Sequence, residues 1–62
     1  MKVNINMTVN VDQDVVIEFM EALGVTGSPR QFVREFIEES GFEGLADQCR
    51  ETICKNIFVY NF

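Results

Sequence analysis

Apolar and polar residues alternate without a break from Lys2 to Val11. Val3, Ile5, Met7, Val9 and Val11 fall on one side, and Lys2, Asn4, Asn6, Thr8 and Asn10 on the other. Period two over this length predicts a β-strand with one buried and one wet face. After Val11 the period changes. Asp12 is placed to cap a helix, with Val11 before it able to staple against Val16. Val16, Phe19, Met20 and Leu23 then recur at helical spacing, which predicts a first helix over 13–23 ending at Gly24. Ser28-Pro29-Arg30-Gln31 predicts a second helix start. The serine offers its hydroxyl to a free N–H, proline suits the first helical position, and Gln31 completes a capping box. Phe32, Val33, Phe36 and Ile37 form its buried stripe, and Gly41 should stop it in a left-handed cap. Phe42, Leu45, Ala46, Cys49 and Ile53 predict a third, weaker helix closed by Lys55-Asn56. The run from Ile57 to Phe62 is strand-like, with apolar residues on both faces. The expected fold class is therefore α+β in one small domain over 1–62: an N-terminal strand, two to three helices and a short C-terminal strand.

Composition narrows the function. A chain of 62 residues removes only about 60% of its unfolded surface from water on folding, so its core is thin and oligomerisation is a natural supplement. With no His in the sequence, Ser-His and Cys-His nucleophile pairs and mixed Cys/His zinc sites drop out, and an enzyme is not expected. No cofactor or metal is expected either. Cys49 and Cys54, five apart on the third helix, point about 140° away from each other and cannot pair there. They read as free, buried thiols in a reducing, cytoplasmic setting. No apolar run approaches the roughly 20 residues of a membrane helix, and the N-terminus has no signal-peptide pattern.

Charge is unevenly distributed. The net −5 is concentrated in residues 12–47, where nine carboxylates meet only Arg30 and Arg34, while residues 1–11 carry Lys2 alone. Glu18, Glu21, Glu38 and Glu39 fall on solvated helix faces, with nothing to shift one carboxyl against another for acid–base work. Glu38 and Glu39 also sit at the unfavourable end of the second helix dipole. Such a surface repels nucleic acid and suits a basic protein partner.

Against this stands the wet face of the first strand, which reads Lys-Asn-Asn-Thr-Asn. Asn pairs bidentately with adenine, Lys with guanine, Thr with an edge or a methyl, and a two-stranded ribbon fits the major groove. A strand with no hairpin partner also leaves both edges unpaired. Either the C-terminal run pairs with it, or the same strand of a second subunit does so across a two-fold axis.

The second arrangement resembles the ribbon-helix-helix (MetJ/Arc-like) family of DNA-binding proteins. The resemblance covers residues 2–41 and rests on the alternating Lys2-to-Val11 segment, the Leu23-Gly24-Val25-Thr26 turn and the Ser28 start of a helix running Phe32-Val33-Arg34-Glu35-Phe36-Ile37. It implies a homodimer, or a higher oligomer, acting as a transcriptional regulator. Lys2, Asn4, Asn6 and Thr8 would read bases, and Gly27, Ser28 and Arg30 would lie at a phosphate. Residues 42–62 would be a C-terminal helix and strand extension beyond that unit. The alternative is a small acidic protein-binding module or inhibitor, of the kind a phage or mobile element carries, with a compact β-α-α-α-β fold that uses its acidic helical face.

Overall fold

The computed structural model describes residues 1–59. Its order is β1 (Lys2–Asn4), β2 (Thr8–Asn10), α1 (Gln13–Leu23) and α2 (Pro29–Ile53). The fold is α+β, with an N-terminal antiparallel hairpin followed by helices.

The single strand expected over 2–11 is corrected to a hairpin. Lys2 faces Asn10, Val3 faces Val9 and Asn4 faces Thr8. Met1 extends the ladder, its carbonyl accepting from Val11 N–H at 2.9 Å and its amino group donating to Val11 O at 2.8 Å. The physical reason lies in the symmetry of the pattern. Residues that face each other across a hairpin centred on Asn6 always share parity, so strict alternation survives the fold and each face stays uniform. Folding at the midpoint also satisfies backbone groups that a lone strand would leave open. Residues 5–7 form the bend, with Ile5 N–H reaching Met7 O at 3.0 Å. Met7, expected on the buried side, is instead at the tip and 62% exposed.

The C-terminal run follows the within-chain solution as far as it is described. Val11 forms an isolated antiparallel bridge with Phe58. Asp12 N–H donates to Ile57 O at 2.8 Å, and Val59 N–H to Asn10 O at 2.9 Å. Among the described residues this is a bridge and not a strand; Tyr60, Asn61 and Phe62 of the expected run lie outside them.

Both helix starts form where the sequence places them. Asp12 Oδ1 accepts from the N–H groups of Asp14 and Val15 at 3.0 and 3.3 Å, and Val11 and Val16 are both fully buried beside this cap. α1 ends in a Schellman pair, Val25 N–H to Met20 O and Gly24 N–H to Glu21 O, with Gly24 left-handed at φ 71°. Ser28 Oγ accepts from Gln31 N–H at 3.4 Å, but the Gln31 amide donates forward to Glu35 at 3.1 Å. Only half of the expected capping box is therefore made.

Helix α2 runs through the expected stop, so the predicted third helix is the second half of this element. The two halves meet at Gly41, which has φ 76° and ψ 174°. Continuous helix would carry Val33, Ile37, Leu45 and Cys49 round about 160° of its surface, at 100° per residue. All four are nevertheless buried in one core. The break re-aims the second half so that Leu45 and Cys49 meet the same interior as Val33 and Ile37.

That core also takes Val3, Val11, Val16, Phe19, Met20 and Ile57. Phe19 of α1 packs edge-on against Phe32 at 5.6 Å between ring centroids and against Phe36 at 5.8 Å, which locks α1 to the first half of α2. Leu23 and Phe42, expected inside, are 43% and 38% exposed because each sits where its helix segment leaves the core. Among the described residues no polar or charged side chain is buried. Among the described residues no helix is long and apolar enough to cross a membrane.

Candidate nucleic-acid interface and the competing acidic surface

The hairpin gathers part of the expected reading set. Lys2, Asn4 and Thr8 share the outer ribbon face, because the pairs Lys2/Asn10 and Asn4/Thr8 both point away from Val3 and Val9. Thr8 Oγ1 donates to Asn4 Oδ1 at 2.7 Å, so one acceptor of the most central amide is already engaged. Asn10, opposite Lys2, has its Oδ1 taken by the N-terminal amino group at 3.3 Å. Asn6 leaves the ribbon face and stands at the tip.

The expected phosphate group of residues lies elsewhere. Gly27, at φ 116°, Ser28 and Arg30 form the turn into α2 and its first turn, and all three are exposed. The hairpin tip meets the opposite end of that helix half. Ile5, Asn6 and Met7 line a depression of about 380 Å³ together with Ile37, Glu38, Gly41 and Phe42. From Ser28 to Glu38 the helix rises about 15 Å, so the tip residue Asn6 and the helix start stand at opposite ends of it. The depression beside the helix start, about 400 Å³ and lined by Ser28, Arg30, Gln31, Arg34, Glu35 and Glu38, mixes both charge signs.

Three of the five cations are neutralised within the molecule. Lys55 Nζ reaches Glu18 at 2.8 Å and ties the C-terminal segment to α1, Arg34 lies 3.8 Å from Glu38, and Arg50 pairs with Asp47. Among the described residues Lys2 and Arg30 have no carboxylate within ion-pair reach. Lys55 holds its proton above the ordinary lysine range because it donates to, and sits beside, the Glu18 carboxylate.

The thiols divide. Cys49 is fully buried, and burial, with Glu18 adding repulsion, pushes its pKa up and keeps it protonated. Cys54, expected inside, is exposed, because it caps α2 in the left-handed conformation at φ 56° and turns the chain outward. Among the described residues no group of three or more His, Cys, Asp or Glu side chains is placed to hold a metal ion.

One surface feature escaped the reading of the sequence. Ile17, Met20, Val25 and Pro29 line a shallow apolar depression of about 250 Å³ at the α1–α2 corner, with Glu21 on its rim. The available signal was Ile17 itself, an apolar residue among Asp14, Glu18 and Glu21 on the wet side of α1. Comparison with protein-family models, with curated proteins and with solved structures finds no match for this chain.

Proposed function

We propose that this chain is a small acidic protein-binding module whose partner presents a basic surface. The observation that carries the reading is the intramolecular pairing of Arg34, Arg50 and Lys55, which leaves a net charge of −5 with two unpaired cations among the described residues. Neutralisation of phosphates by Lys and Arg supplies most non-specific affinity for nucleic acid, and few cations are left free here to supply it. The apolar corner at Ile17 and Val25 with Glu21 on its rim suits a partner segment that sets an apolar side chain beside Lys or Arg. Glu18 and Glu38 are committed to internal ion pairs, so of the four helix-face carboxylates singled out in the sequence Glu21 and Glu39 are the ones open to a partner.

A second reading, a ribbon that reads the major groove, is favoured by one observation: Lys2, Asn4 and Thr8 line one exposed face of a two-stranded ribbon. Fluorescence anisotropy at low salt separates the two. Under the first reading the chain binds a labelled Lys/Leu amphipathic peptide, Glu21→Gln with Ile17→Ser weakens that binding, and duplexes from its own genomic neighbourhood stay free. A duplex bound with an affinity that falls on Asn4→Ala, and no peptide binding, would reverse the order of the readings.

A further inference from the structure

Ile17 forms a ridge on α1, with an apolar hollow on one flank and carboxylates on the other. At 100° per residue, Asp14, Ile17 and Glu21 fall within about 60° of the helix surface, each roughly one turn from the next, while Met20 lies on the far side of Ile17 from both acids. The hollow opens on that far side, between Ile17 and the connecting residues Val25 and Pro29, with Met20 buried beneath it. Asp14 and Glu21 are exposed, and neither pairs with a cation among the described residues, whereas Glu18 between them is held by Lys55. Arg30, although next to Pro29 in the chain, lines the neighbouring depression and not this one.

We infer that the partner in the protein-binding reading, on which this inference rests, is an amphipathic α-helix that lies along α1 and carries two basic residues seven positions apart with one aliphatic residue between them. The spacing follows from α1 itself. Asp14 and Glu21 stand about 4.5 and 6 Å along the axis from Ile17, at 1.5 Å per residue. A helix alongside repeats those intervals when its aliphatic side chain enters the hollow and its basic residues lie three and four positions away. Reversing the partner exchanges three and four, which moves each ammonium by only about 1.5 Å and leaves it within reach on a flexible lysine stem. A helix is required because α1 offers no free backbone groups in this stretch to an extended segment, while a helical partner satisfies its own. A second copy of the chain does not fit. No two of its Lys and Arg residues stand seven positions apart, and its net charge of −5 would approach Asp14 and Glu21 against repulsion.

Three peptides on an alanine–glutamine background, titrated into the isotope-labelled chain at low salt and followed by amide chemical shifts, test this. The matched peptide has lysines three before and four after a single leucine. The opposed peptide has the same composition, with lysines five before and two after, still seven apart but on the side of the helix away from the leucine. The third is the matched peptide with proline after the leucine, which breaks the helix and keeps the charges. The matched peptide should shift the Ile17, Glu21 and Val25 amides and bind at least about fivefold more tightly than either other, as expected for two exposed ion pairs. Asp14→Asn with Glu21→Gln should abolish that preference, with the fold checked by circular dichroism; the peptide comparison on the unmodified chain needs no variant. Equal binding of all three peptides, tight binding of the proline peptide, shifts confined to another surface, or a preference that survives the double substitution would each overturn the inference. If the matched peptide does not bind, the inference falls, and the Lys/Leu amphipathic peptide shows whether the reading falls with it: binding that weakens in Glu21→Gln with Ile17→Ser keeps the corner as a protein-binding surface, and no binding removes both.

Discussion

Replacing Gly41 with alanine tests the break in α2 by the sign of its effect. At φ 76° and ψ 174° this residue occupies a region essentially reserved for glycine. A Cβ built there meets no atom within 4 Å, so crowding contributes nothing and the cost is that of the backbone conformation alone. Strain of this kind costs about 1–3 kcal/mol. Alanine restricts the unfolded chain and returns about 0.4–1 kcal/mol. The net expectation is a loss of about 1–2 kcal/mol, and for a domain of this size each kcal/mol moves the melting temperature by roughly 4–8 °C. If α2 were continuous helix through residue 41, the same substitution would stabilise by about 1 kcal/mol, because glycine is the poorer helix former. Thermal unfolding followed by far-ultraviolet circular dichroism, backed by urea titration, distinguishes the two. A melting temperature that rises or stays constant in Gly41→Ala would refute the break and with it the account of how Leu45 and Cys49 reach the core.

Gly44 makes the contrasting case: a Cβ there would lie 2.8 Å from the Ser40 Cβ, so Gly44→Ala should destabilise alone and become neutral or better in a Ser40→Gly background, read by the same melts. Of the two thiols, Cys54 should react rapidly with a thiol-titrating reagent in the folded protein, and Cys49 only at the rate of unfolding. Cys54→Gly should stabilise by about 1 kcal/mol in urea melts by relieving a left-handed, non-glycine cap. Stability should fall on the alkaline side. Cys49, shielded by burial and repelled by Glu18, and Lys55, bonded to Glu18, both hold their protons to higher pH in the folded state than in the unfolded one. Their contribution is complete at neutral pH and is lost as pH rises first through the thiol range and then beyond the ordinary lysine range. Urea midpoints that stay flat from neutral pH into that range would contradict this assignment.

Local chemistry was legible in the sequence wherever one short stretch decided the outcome. Asp12 and Ser28 begin the helices, Gly24 ends the first, and Val16, Phe19, Met20, Val33 and Ile37 face inward, because caps and helical periodicity depend on neighbours only a few residues apart. The lack of histidine and the asymmetry of charge are properties of the residues themselves and need no fold. The ribbon was legible only in part. Alternation fixed which of Lys2, Asn4, Thr8 and Val3 share a face, but a straight strand and a hairpin centred on Asn6 obey the same parity. The choice between them rests on where the open backbone groups find partners, which is a long-range matter settled by Met1 against Val11 and Val11 against Phe58. The corner at Ile17, Val25 and Pro29 depends on the angle between two helices, and the separation of Ser28 from the hairpin tip depends on which end of α2 the hairpin packs against. The end of the second helix was misplaced for a related reason. Glycine at position 41 signalled a change of backbone direction, and only the packing of Leu45 and Cys49 against the core decided that helix resumes at once on the far side, since that burial is what compensates the break.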